Sequence, residues 1–536
     1  MRQARQVKGA PRRVLTRLLG NPCLWLALAL GGCAVGPDFV PPLAEVQEKW
    51  IESGDKRVAS NSDVKSHWWR AFNDPTLDRL IECAYEQNLP VQVAGLRILE
   101  ARAQLGVAIG DLYPQMQQGV GSAQQNLMSS QVANQANLQH SFAIFNLGFD
   151  ATWEVDFWGR LRRNVEAADA TLLGTVADYD EALVSLTGEV ARTYALMRTY
   201  EELVAIAREN AKVQKDGLDI AQSRFRHGAT SELDVAQART IYESTRADIP
   251  QYQASVQQAK NALSTLLGRP PGAVESMLRG PKRIPVASSR VAVGIPAELL
   301  RRRPDIRSAE FKAAAESARI GVAEADLYPK FVLMGDVSVQ SSNLSKLFAP
   351  HSLAFTVGPG FQWNILNYGQ ITNNVRAQDA RFEEAIVNYQ NTVLTAAHEV
   401  EDALIAFLKA QEATVANRKS VAAAEEAVRL SFVRYREGAE DFQRVVDSER
   451  ALLQQENRLA QTRSDIATNL IALYKALGGG WEIRDGRPVV SEALQAEMAG
   501  RTNWGNLLPA PPPPPTPALP LPTPAGATPP LLPPDW

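Results

Sequence analysis

The chain has 536 residues, three cysteines and a formal charge of −3, and its first 32 residues hold six basic residues and no acidic one. The remainder carries 50 basic against 59 acidic residues. That mildly acidic balance, without clustered Lys and Arg, excludes binding along a nucleic-acid backbone, and so few cysteines exclude a disulfide framework or thiolate metal site.

The N-terminus reads as an export signal over residues 1–32. Basic residues from Arg2 to Arg17 precede the apolar run Leu24–Leu30, and small residues follow. The run is shorter than the ~20 apolar residues a membrane helix needs. It ends in Leu30-Gly31-Gly32-Cys33, which resembles a bacterial lipobox in which Cys33 becomes the acylated first residue. Ala34, where an Asp would retain such a lipoprotein at the inner membrane, favours the outer membrane. The alternative is an ordinary signal with an incidental Cys33. Cys23 leaves with the signal, so Cys83 then stands alone. No later segment is long and apolar enough for a transmembrane helix, so a membrane crossing by this chain would use strands.

The chain repeats itself. "GVAIGDLYPQ" ends at residue 115 and "GVAEADLYPK" at residue 330, an offset of 215. "WEVDFWGRLRRNVEAADA" from Trp153 matches "WNILNYGQITNNVRAQDA" from Trp363 at an offset of 210, and that offset holds for "SRFRHGA" at 223 and "ALSTLLG" at 262. One loop differs by five residues while its surroundings keep register. Two tandem units follow, 76–270 and 305–480, with segments 33–75, 271–304 and 481–508 outside them. Residues 509–536 contain 14 prolines in 28 positions and are expected to be extended or disordered.

Within each unit, Pro114 and Pro329 bar helix at the preceding residue and remove a donor. Tyr113-Pro114 and Tyr328-Pro329 are therefore expected at a helix-to-strand junction. Beyond it, alternate residues are apolar from Phe145 to Phe157, from Phe331 to Val339 and from Leu353 to Ile365. About ten alternating residues suit a tilted strand with one face to lipid and one to a lumen; a half-buried sheet of a soluble domain is the alternative. From Arg160 to Arg224 the chain runs without a breaker, which predicts a helix of roughly 100 Å. Such lengths suit coiled-coil-like packing. Gly228 in "RHGATSELD" and Gly438 in "REGAEDFQR" then mark helix–turn–helix tips.

Two strands per unit give four per chain. Lipid satisfies no backbone hydrogen bond, so membrane strands must close into a barrel, and known barrels begin at eight strands. Several chains must share one barrel.

"WWRAFNDPTLDRLIECAYEQN" from Trp68, "GIPAELLRRRPDIRSAE" from Gly294 and both repeats resemble the TolC-like outer-membrane efflux factors, in the lipoprotein (NodT/OprM-like) branch that serves tripartite drug exporters. The resemblance covers about Cys33 to Gly480. It implies a mainly α fold with membrane β: a homotrimer whose twelve-stranded barrel, four strands per chain, continues into a long periplasmic α-helical barrel, with an equatorial domain of terminal and connector segments. It implies an exit duct for small toxic molecules or drugs. It also implies a periplasmic adaptor (membrane fusion) protein and an inner-membrane transporter of the resistance-nodulation-division (RND) class as partners. No cofactor is expected beyond the lipid on Cys33. An ATP-driven secretion channel of the same fold and a pore-less periplasmic coiled-coil lipoprotein are the rival readings.

No catalytic constellation is legible. The five histidines, at 67, 140, 227, 351 and 398, are scattered, and His398-Glu399 lacks the second ligand of a zinc-protease helix because position 402 is Asp. Phosphate-binding Gly-Lys loops and nucleophile elbows are also missing. The family's aperture is ringed by acidic residues just after the second tip, and register from Gly438 places these at Arg444 and Asp447. Asp447 keeps the acid; Arg444 departs from the pattern, which points to Arg/Asp pairing across protomers in place of two acidic rings. The family's tip-to-tip link between an aromatic hydroxyl and an acid falls on Tyr435 and Asp234. Gly228, Ala229, Gly438 and Ala439 are the expected adaptor-contact surface; simple helix capping by each Gly is the alternative.

Overall fold

The computed structural model describes residues 34–59, 67–129, 139–280, 282–286, 290–294, 296–297 and 302–508. The export signal, Cys33 and the Pro-rich tail lie outside the described residues.

Two helices open the first unit, α1 (Pro75–Gln87) and α2 (Leu89–Gly110). Asp74 caps α1 by accepting from the Thr76 and Leu77 amides, and Asn88 caps α2 by accepting from Val91, each with Pro in the first turn. Strands β2 (Met116–Leu127) and β3 (Ser141–Val155) follow, after the short β1 (Val58–Ala59). The chain continues through α3 (Arg160–Arg226) and α4 (Glu232–Leu266). After the short β4 (Val291–Ala292), which pairs with β1, the same series returns. It runs α5 (Pro304–Ala325), β5 (Lys330–Ser341), β6 (Leu353–Gln362), α6 (Gln370–Arg436) and α7 (Phe442–Ala476), before a final α8 (Glu492–Arg501).

Corresponding helices are equal in length: 22 residues for α2 and α5, 67 for α3 and α6, 35 for α4 and α7. Sixty-seven residues reach roughly 100 Å. The five-residue difference in spacing is confined to the hairpins, where a length change disturbs no helix register. One departure from symmetry lies in α4, which runs straight through Pro250 although proline withholds a helical hydrogen bond; the matching position in α7 is the buried Ala460.

A belt around the middle of α3 holds the main core. Trp68, Trp69, Phe72, Leu77, Leu80 and Ile81 from the N-terminal segment pack on Tyr179, Leu183, Val190 and Tyr194 of α3 and on Leu404, Phe407, Leu470 and Ile471 of α6 and α7. Burying this many large side chains at about 1.5–3 kcal/mol each fixes the four long helices against one another. The helices do not end at the Tyr before each Pro, as expected, but three residues earlier. In the first unit the amides of Leu112 and Tyr113 turn back to the Ile109 and Gly110 carbonyls, a tightened last turn that leaves no room for a further α-helical bond.

Candidate functional site

The four long strands form one antiparallel sheet in the order β2-β3-β5-β6. Its register sets rows of apolar side chains on one face. Phe149 faces Val337, which faces Phe355; Val155 faces Phe331, which faces Phe361. Phe149, Phe355 and Phe361 are all more than 70% exposed, the pattern of a face awaiting lipid. The opposite face carries Asn146, Asp150, Asp336, Gln340 and Thr356, and Asp150 lies directly across from Asp336. Like charges placed opposite one another are tolerable only where water screens them. β2 has no apolar row; Gly119 and Gly121 sit across from Phe149 and Leu147, whose side chains cover them at 3.7 and 3.5 Å from where a Cβ would stand. The outer edges of β2 and β6 are unpaired in this sheet.

Tyr113-Pro114 and Tyr328-Pro329 join helix to sheet, and each junction is closed by a tryptophan. The indole of Trp153 donates to the Leu112 carbonyl at 3.2 Å, and that of Trp363 to the Leu327 carbonyl at 2.9 Å. Tyr328 stacks on Trp158 with centroids 4.6 Å apart, while Tyr113 is 42% exposed. Phe157 and Phe331 extend the collar. The first described residues attach here. The Val35 amide donates to the Trp158 carbonyl, and the buried Arg163 donates to the carbonyls of Val35 and Gly36 and pairs with Asp38 at 2.7 Å.

At the other end, the tips are built alike. Gly228 and Gly438 adopt φ of +72° and +76°, and in each the next residue's amide bonds the carbonyl five positions back, Ala229 to Arg224 and Ala439 to Arg434. This Schellman closure satisfies the last carbonyls and requires the left-handed region that Gly enters freely. All four of Gly228, Ala229, Gly438 and Ala439 are exposed. Arg444 and Asp447 are exposed on the first turns of α7; Arg444 lies 3.9 Å from Glu440, and Asp447 accepts from Gln443 at 2.9 Å.

The expected Tyr435–Asp234 link is not formed. Tyr435 is 2% exposed, its ring edge-on to Phe442 at 5.0 Å, and its hydroxyl has no hydrogen-bond partner. Asp234 instead accepts from Thr230 and Ser231 at the start of its own helix, where a carboxylate meets free amides and a positive dipole end. Arg224, which no motif in the sequence marks, joins the tips. Its guanidinium covers the Tyr435 ring at 4.5 Å and donates to the Tyr435 carbonyl and, at 3.5 Å, to that of Ala229. A cation in the last turn of a helix, where carbonyls are unpaired, was the available signal.

The "RRPDI" stretch is a joint. Arg303 is 7% exposed and donates to the Ala476 carbonyl at 2.6 Å, to Asp305 and to Glu399 at 2.8 Å, tying the start of α5 to α6 and to the end of α7. Nearby, Asp180 is fully buried; burial pushes its carboxyl up, and Arg484, 2.5 Å away, opposes that shift. His398 meets Asp402 at 3.3 Å on a helix surface.

The sequence profile of the Outer membrane efflux protein family matches residues 80–269 and 295–479. Nodulation protein T of Rhizobium leguminosarum bv. trifolii is 31% identical over 459 residues, 85% of this chain and 96% of that protein. Cation efflux system protein CusC of Escherichia coli O6:H1 is 30% identical over 468 residues, 86% of this chain and all of that protein. Among solved structures, the outer-membrane channel OprN superposes with a TM-score of 0.79 at 32% identity, covering 84% of this chain and all of that one. A four-stranded sheet with one lipid-ready face, continued by paired helices of roughly 100 Å, is the TolC-like architecture, and the chain belongs to the outer membrane efflux protein family, whose members are channels of the Gram-negative outer membrane that reach into the periplasm.

Proposed function

We propose that three copies of this chain close one twelve-stranded barrel and form the exit duct of a tripartite efflux pump, fed by a periplasmic adaptor and an inner-membrane RND transporter. The sheet carries the reading: its apolar face is exposed and the outer edges of β2 and β6 are unpaired, which lipid does not tolerate. The trimer is the assembly implied by the family. Cross-linking in outer-membrane fractions tests it; a trimer is expected, and a dimer or monomer overturns it. The exposed tip residues Gly228, Ala229, Gly438 and Ala439 are the surface offered to the adaptor. Relatives equally similar to this chain are named for nodulation and for cation efflux, which supports selection of cargo by the transporter and not by the duct.

Arg444 and Asp447 line the periplasmic aperture in this assembly, and Arg224 holds the tips together. Asp447→Ala raises single-channel conductance in planar bilayers; an unchanged value removes Asp447 from the gate. Cys33 carries the lipid anchor. The attachment of Val35 at the strand–helix junction supports this, because it holds the chain two residues away at the level of the aromatic collar. Labelled palmitate enters the wild type and not Cys33→Ala; equal labelling excludes the site.

A further inference from the structure

The seam between the two units, α3 against α7, is built unlike the tip below it. The tip cluster is apolar: Leu218, Ala221, Val235, Ile241, Phe442 and Val446. Directly above it the seam turns polar in heptad steps along α7. Arg463 pairs with Glu202 at 2.9 Å, Glu456 accepts from Asn210 at 2.5 Å, and Glu449 faces Gly217. The first two rungs are bonded. The third is not.

Glu449 is 2% exposed, and no hydrogen bond or ion pair reaches it among the described residues; its Oε1 is an orphan. Every element around it withholds a charge. From α3 comes Gly217, where a Cβ would stand 3.6 Å from Oε1, and one turn earlier in that helix Gln214 is 1% exposed with neither amide atom partnered. From α6 comes the Phe432 ring, 3.2 Å from that same Cβ position, beside Ser431, which is bonded to Ser448. Along α7, Glu456 lies one heptad away. Asp248 of α4 and Arg450 of α7 line a shallow groove on the adjoining face, whose lining does not include Glu449. A carboxylate in such a place is strongly disfavoured against the neutral acid.

We propose that Glu449 is a proton-operated latch of the seam between the two units: as the neutral acid it stays buried and the wall stays closed above the tip, and as the carboxylate it moves to water and lets the coils part. The sign follows from burial, which pushes this carboxyl from its ordinary 4.5 up to about 7. The closed seam is fully favoured below 4.5, loses that advantage as the pH climbs to about 7, and weakens no further above it. Glu456 is shifted the same way by burial but is held by Asn210, and Glu181, also near 7, sits far from the tip on the equatorial belt.

Recordings on the full-length protein in planar bilayers from pH 5 to 8.5 test this. The wild type opens more as pH rises, its closed-to-open ratio falling by about 70-fold across this range, part of a limit of roughly 300-fold at tenfold per pKa unit. Glu449→Gln and Glu449→Leu hold the low-pH behaviour at every pH, whereas Glu456→Gln keeps the wild-type rise. A rise in both Glu449 variants equal to that of the wild type overturns the latch, as does a wild type without one. Infrared spectroscopy supplies a second readout: the protonated-carboxyl absorption lost between pH 6 and 8 is smaller in whichever Glu449 variant folds than in the wild type, Glu181 supplying the remainder in both. An absorption change of equal size in variant and wild type also overturns it.

Discussion

The two units of this chain use the same backbone and reach the same bonds with different side chains. Asn88 starts α2 and donates to the Leu266 carbonyl at 2.8 Å, at the end of α4. Arg303, its counterpart, starts α5 and donates to the Ala476 carbonyl at the end of α7. Gly268 and Gly478 turn the chain beside these contacts with φ of +64° and +70°. The tips differ more. Phe225 and Tyr435 occupy the same position in the repeat, yet Phe225 is 44% exposed and Tyr435 is buried under Arg224. Local geometry was duplicated; burial was not, because only the second unit's tip is covered by the other.

The largest expected effect separates those aromatics. Tyr435→Ala destabilises by about 3–5 kcal/mol as a large-to-small change in a packed cluster, and Phe225→Ala by less than about 1. Thermal melting of the solubilised protein measures both, and similar losses would mean the tips are equivalent after all. Tyr435→Phe is close to neutral because the hydroxyl has no partner; a clear loss would restore a bond such as the one to Asp234.

The joints come next. Arg303→Ala costs about 2–3 kcal/mol, since it strands the Ala476 carbonyl and two carboxylates, and Asn88→Ala about 1–2. Reversal of that order would show that the charged version adds nothing over the neutral cap. At the tips, Gly228→Ala and Gly438→Ala each cost about 1–2 kcal/mol for a left-handed residue with a Cβ. Neither faces a close contact, so equal losses are expected, and a larger loss at one site would reveal a neighbour across the assembly. The smallest pair is Trp153→Phe and Trp363→Phe, about 1 kcal/mol each for one hydrogen bond, again equal if the junctions are equivalent.

Strands β3, β5 and β6 were legible because lipid-facing and lumen-facing residues alternate in them. β2 was not, because Gln117, Gly119, Gly121 and Ala123 lack an apolar row; its place is set by β3, which pairs with it residue for residue. The tip glycines were legible from their position after unbroken helical sequence. Arg224 and Glu449 were not, since a charged residue in a long helix reads as a solvated face until a second helix covers it.

Sequence alone determined the duplication, the helix lengths, the turn positions and the need for strands, all consequences of local periodicity and of residues that start or stop an element. Tertiary structure decided which copy of each repeated position is buried, which charges are paired and which acid is left without a partner. Those outcomes depend on what packs alongside, and two segments with nearly the same sequence acquire different physics when one of them lies against the other.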